Sequence, residues 1–61
     1  MSQVYDIKAM AGKIQALRED AEALKKMSGG LQAVDRNVDR ILANVRMLEI
    51  DINDVAEVLA F

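Results

Sequence analysis

The stretch Leu24-Lys25-Lys26-Met27-Ser28-Gly29-Gly30-Leu31 decides the fold. Apolar heptad positions reach it in one register and leave it in another. Before it, Ile7, Met10, Ile14, Leu17, Ala21 and Leu24 occupy successive a and d positions. After it, Leu31, Val34, Val38, Ile41, Val45, Leu48, Ile52, Val55 and Leu59 do the same, with no polar residue among them. Each series marks a helix with one apolar stripe. Continuing the first register makes Leu31 a d residue, whereas the second needs it at a. A single unbroken helix has to absorb that slip and two glycines, each costing about 1 kcal/mol in a helix interior. A turn is the simpler solution. Lys25 and Lys26 then close the first helix and Asp35 opens the second, each where the helix dipole favours its sign. Glycine at 29 suits the left-handed residue that ends many helices. The spacing predicts an all-α chain, one domain over residues 1–61, with a helix at 3–27, a turn at 28–30 and a helix at 31–59.

Folded back at that turn, the two stripes have matching lengths. Leu24 faces Val34, Ala21 faces Val38, Leu17 faces Ile41, Ile14 faces Val45, Met10 faces Leu48, Ile7 faces Ile52 and Val4 faces Val55. Charge points the same way. Residues 7–18 carry Lys8, Lys13 and Arg18 and no acid, while residues 49–57 carry Glu49, Asp51, Asp54 and Glu57 and no base. An antiparallel hairpin sets these segments side by side. Exposed ion pairs contribute only ~0–1 kcal/mol each, so they select orientation more than they stabilise.

Size limits what such a hairpin can do alone. A chain of 61 residues buries only ~60% of its unfolded surface, which leaves a lone domain marginal. Disulfides, a structural metal or association are the usual remedies. Cysteine and histidine are both absent, which removes the first remedy and the usual ligands of the second. Association is the remedy left. The composition, 52% hydrophobic and 30% charged, is too apolar for a disordered chain and fits a bundle or coiled coil. Charges interrupt every apolar run well short of membrane-spanning length, and Met1-Ser2-Gln3 opens no signal-peptide pattern. The expectation is a cytoplasmic protein with no membrane contact.

Several apolar residues fall outside the heptad stripe. Met47, Ile50, Val58 and Phe61 cluster on the far side of the second helix, and Leu42 widens the stripe on a third side. One hairpin partner cannot cover opposite faces. On the first helix, Ala9, Gly12, Ala16 and Ala23 form a strip of small residues. Alanine is the best helix former, which accounts for most of that strip, but Gly12 lowers helix propensity and suggests close approach by another helix. These residues are the candidate interface: Met47, Ile50, Val58, Phe61, Leu42, Ala9, Gly12 and Ala16. The expected assembly is a homodimer making a four-helix bundle. The outer face of the second helix is then available to another dimer or a different protein.

Machinery for catalysis is thin. Hydroxyl side chains are confined to Ser2, Ser28 and Tyr5, with no histidine or cysteine to work beside them. The acidic run from Glu49 to Glu57 lies in helical register without the glycine turn of a calcium loop. Di-iron bundles need histidine as well as carboxylates. Ser28-Gly29-Gly30 lacks the lysine and the following hydroxyl residue of a phosphate-binding loop. No enzyme activity, cofactor or metal is expected.

Nucleic acid is the competing partner. Lys8, Lys13, Arg18, Arg36 and Arg40 are the candidate contacts, the last two one helical turn apart. In size and layout the chain resembles Rop-like proteins, dimeric helical hairpins that bind RNA, and that likeness implies a nucleic-acid-binding dimer. Against it stand a net charge of −2, the neutralising Asp35 and Asp39, and aromatic residues only at Tyr5 and Phe61. The sequence therefore favours a small oligomeric helical interaction, scaffold or regulatory module, with a Rop-like nucleic-acid-binding hairpin as the alternative.

Overall fold

Asp6 starts the first helix. Its backbone is extended, with φ −110° and ψ 94°, and its side chain accepts a hydrogen bond from the Ala9 amide at 3.0 Å. That bond satisfies one of the amides left unpaired at a helix start. Helix α1 accordingly spans Ile7–Met27 in this computed structural model, which describes residues 6–59. The expected start at residue 3 lies outside the described residues, as do Val4, Tyr5 and Phe61. Helix α2 spans Gln32–Leu59. Leu31, expected as its first residue, instead precedes it and accepts the Asp35 amide at 3.0 Å.

The turn is built from three residues with distinct tasks. Ser28 caps α1, its amide donating to the carbonyls of Leu24 and Lys25. Gly29 and Gly30 then reverse the chain at φ 61° and φ 90°, a region that costs other residues roughly 1–2 kcal/mol. The Ser28 hydroxyl lies 2.6 Å from the Asp35 carboxylate, tying the end of α1 to the first turn of α2. Gly29→Ala should therefore destabilise the chain by about 1 kcal/mol through backbone strain alone, since nothing lies within 4 Å of the added methyl. The expected fall in Tm is roughly 4–8 °C at this size.

The two helices pack antiparallel as a hairpin measuring 46 × 17 × 13 Å. Its smallest dimension is close to the diameter of one helix, so the fold is a single layer. Among the described residues only Ile14, Ala21, Val38 and Val45 are buried, and all four are a residues. Around them Ile7 and Ile52, also at a, are half-buried, together with Arg18, Leu42 and Glu49 at e. The central d residues fare differently. Met10, Leu17, Leu24, Ile41 and Leu48 remain 39–49% exposed.

The line of contact between the helices thus runs between a and e, not between a and d as the heptad alone suggests. A contact between two cylinders is narrow. The a/d stripe is broad, and turning both helices to place a and e at the line rolls the central d side chains onto one face of the layer, while Val34 and Val55 at its ends stay half-buried. Met10, Ile14 and Leu48 line an apolar depression there, so α1 and α2 contribute their d residues to the same side. Ile14 is also reached from the opposite side, among Gln15, Arg46, Glu49 and Asn53. The hairpin has one apolar face and one polar face.

Candidate functional surface

The polar face is held by ion pairs that cross the helix contact. Arg18 grips Glu49 with two hydrogen bonds, Nε to Oε2 at 2.8 Å and Nη2 to Oε1 at 2.9 Å. Arg46 approaches the same carboxylate at 3.6 Å, and Glu22 lies 3.7 Å from Arg18. Nearer the turn, Lys25 reaches Asp39 at 2.7 Å. Of the opposed charge segments, it is Arg18 and Glu49 that meet across the contact. Their side chains are 27% and 25% exposed, and the paired fork geometry is the stronger form of such a contact.

These contacts shift the groups that make them. Hydrogen bonding from Arg18, helped by the charges of Arg18 and Arg46, holds the Glu49 carboxyl below its ordinary value of 4.5. The bond to Asp39 raises the Lys25 ammonium above its ordinary 10.5. A depressed carboxyl contributes stability that is complete above its unfolded pKa and disappears as pH falls through the folded value. Glu49→Gln should therefore melt below the parent protein at pH 7, and the gap should close near pH 2. Thermal melts of both proteins across that range measure it; a gap that does not change with pH would remove the electrostatic role assigned to Glu49.

The apolar face is the larger feature. Met10, Leu17 and Leu24 on α1 and Ile41 and Leu48 on α2 follow one another along it, and Leu31 adds a 59% exposed side chain beside the turn. Flanking them at the g positions is a polar rim, Lys13 and Asp20 on α1 and Asn37, Asn44 and Asp51 on α2, all exposed. Contiguous apolar patches beyond roughly 300–600 Å² are rare on monomeric proteins. The heptad pattern contains these residues but places them in the hairpin seam. Their availability followed only from the rotation of the helices.

The candidate interface residues scatter around this frame. Met47 and Val58 are 55% and 70% exposed, and Ile50 is 37% exposed. Met47 points away from α1, whereas Val58 belongs to the rim of the apolar face. Leu42 is half-buried at the helix contact. Ala9, Gly12 and Ala16 are all exposed, and nothing lies within 4 Å of a methyl placed on Gly12. Within one hairpin Gly12→Ala should thus raise stability by about 0.8–1 kcal/mol through helix propensity. A lower melting temperature would reveal another helix packed there.

The basic residues do not converge on one site. Lys8 and Lys13 sit toward the open end of the hairpin, Arg36 and Arg40 toward the turn. By register, Lys8 and Arg36 are about 20 Å apart along the axis at 1.5 Å per residue. Arg18 is committed to Glu49 and Glu22. Among the described residues no cluster of three or more acidic side chains is arranged to hold a metal ion, and no helix is long and apolar enough to cross a membrane. No family model matches the chain, and no curated protein or solved structure matches it either.

Proposed function

We propose that the protein is a small helical interaction module that works as an oligomer, without catalysis, and that its apolar face is the contact surface. One observation carries this reading. Five large d residues in a row are each only a little over half covered, on a layer too thin to bury them itself. A second helical layer laid on that face covers them and turns the a and d residues into the core of a four-helix bundle. In such bundles the a and d residues of every helix point inward together. The simplest assembly is a dimer of hairpins, serving as a scaffold or regulatory unit through protein contacts. Its exposed outer side chains, Met47 and Ile50, remain available for a further partner.

Sedimentation equilibrium on the full chain over a range of micromolar concentrations tests the reading. The expected result is twice the chain mass, with helicity that declines on dilution as the assembly dissociates. A stably folded monomer at every concentration overturns it.

A further inference from the structure

The rim of the apolar face selects its occupant. We infer that this face is covered by a second copy of the same chain, related by a twofold axis that crosses the helices at the Leu17–Ile41 layer, so that the two turns lie at opposite ends of the bundle. This rests on the reading of the apolar face as the interface of a dimer of hairpins, and it adds the orientation of the two copies and the contacts that fix it.

Helix α1 spans Ile7–Met27, and its middle residue is Leu17, a d residue at the centre of the apolar face. A twofold axis there lays α1 antiparallel on α1 of the second copy. Leu17 then meets Leu17 of the partner subunit, and Met10 meets Leu24 of the partner subunit. On the rim, Lys13 comes within one residue of facing Asp20 of the partner subunit, and the symmetry makes that contact twice. The same axis crosses α2 at Ile41, which shares the layer of Leu17. Ile41 therefore meets its own counterpart, and Val34 meets Leu48 of the partner subunit. The second rim follows, with Asn37 within one residue of facing Asn44 of the partner subunit, again twice.

Charge complementarity favours this arrangement over its competitor. Lys13 and Asp20 are exposed, and among the described residues neither makes an ion pair within the hairpin. With both turns at the same end, α1 instead packs on α2 of the second copy. Lys13 is then set against Asn44, and Asp20 against Asn37, so neither charge meets its opposite. Crossed turns pair charge with charge and amide with amide. A twofold interface requires such self-complementary patches, because each contact is made with the same surface.

The test is a charge-reversal cycle on the full chain, read as the dimer dissociation constant by sedimentation. Lys13→Glu and Asp20→Lys should each weaken the dimer by about tenfold, since each sets like charges together at two sites. The double variant restores opposite charges and should return to within about threefold of the parent. The sequence has no cysteine, so a second measurement is clean. Mixing Lys13→Cys with Asp20→Cys and adding a bis-maleimide that spans about 8–10 Å, one helix-to-helix distance, should cross-link the mixture far better than either variant alone. Both rim positions are exposed in the hairpin, and circular dichroism of each variant verifies that it remains helical. A dimer whose double variant is as weak as the two changes combined, and whose mixture does not cross-link preferentially, overturns the crossed orientation. A monomeric parent chain overturns the interface itself.

Discussion

Leu17→Glu combined with Ile41→Glu should abolish self-association and, at micromolar concentration, take most of the helical structure with it. Neither side chain is essential to the contact within one hairpin, where they remain 49% and 44% exposed. Complete burial of a leucine or isoleucine stabilises by about 1.5–3 kcal/mol, so the half still exposed offers roughly 1 kcal/mol per side chain to a partner. Four such side chains per dimer account for about 4 kcal/mol, or nearly a thousandfold in dissociation constant, before the repulsion of four carboxylates is added. Because the single layer buries only four of the described residues, loss of the dimer should expose the instability of the hairpin. The measurement is sedimentation with circular dichroism on the same samples. Met47→Glu with Ile50→Glu supplies the contrast. Those residues lie away from the apolar face, and their replacement should leave mass and melting temperature close to the parent. The reverse pattern, with the outer pair disruptive and the Leu17–Ile41 pair harmless, moves the interface to the outside of α2.

What the sequence could disclose here was set by which features are local. The turn was legible because register, glycine and charge changed together between Leu24 and Leu31, and Gly29 and Gly30 indeed take positive φ. The layers Ile14–Val45 and Ala21–Val38 followed from counting back from it, and these are the four buried residues. The start of α1 is marked by Asp6, whose side chain accepts from the Ala9 amide three positions on. The rotation of each helix about its own axis was not legible. An a/d stripe spans an arc broad enough for a contact centred on a/d or on a/e, and apolar content alone does not choose. The choice rests on the e residues. Arg18 and Glu49 can close a two-pronged ion pair across the contact only if e is near it, and Leu42, also at e, is half-buried. The opposed charge segments place Arg18 and Glu49 on neighbouring stretches of the two helices, but they do not say that these two side chains flank the seam. The apolar face is therefore contained in the heptad pattern, but the pattern does not show that its d residues stay 39–49% exposed in the hairpin.

Val38→Asp should be the most damaging single change in the chain. Val38 is 1% exposed, the most deeply buried side chain of the hairpin, and sits opposite Ala21 at 6%. Among the described residues, the basic groups nearest by register on α1 are already engaged: Arg18 is bonded to Glu49 and Lys25 to Asp39. An unpaired charge at such a site costs several kcal/mol, and small domains have only about 5–15 kcal/mol of stability in total. The expected result at pH 7 is an unfolded, monomeric chain. The pH dependence identifies the cause. Burial disfavours the charged form, so the introduced carboxyl has a folded pKa above its unfolded value, and its penalty should shrink as pH falls through that raised value. Helicity measured from pH 7 toward pH 5 should thus rise in the variant, while the parent changes little until the carboxylates begin to protonate. Val38→Ala separates packing from charge: it removes two methyl groups, should cost a few kcal/mol at most, and should show no recovery in acid. If Val38→Asp stays as helical as Val38→Ala at pH 7, Val38 is not enclosed. The layer would then be open to water at its centre, and a two-helix contact centred on a and e could not stand.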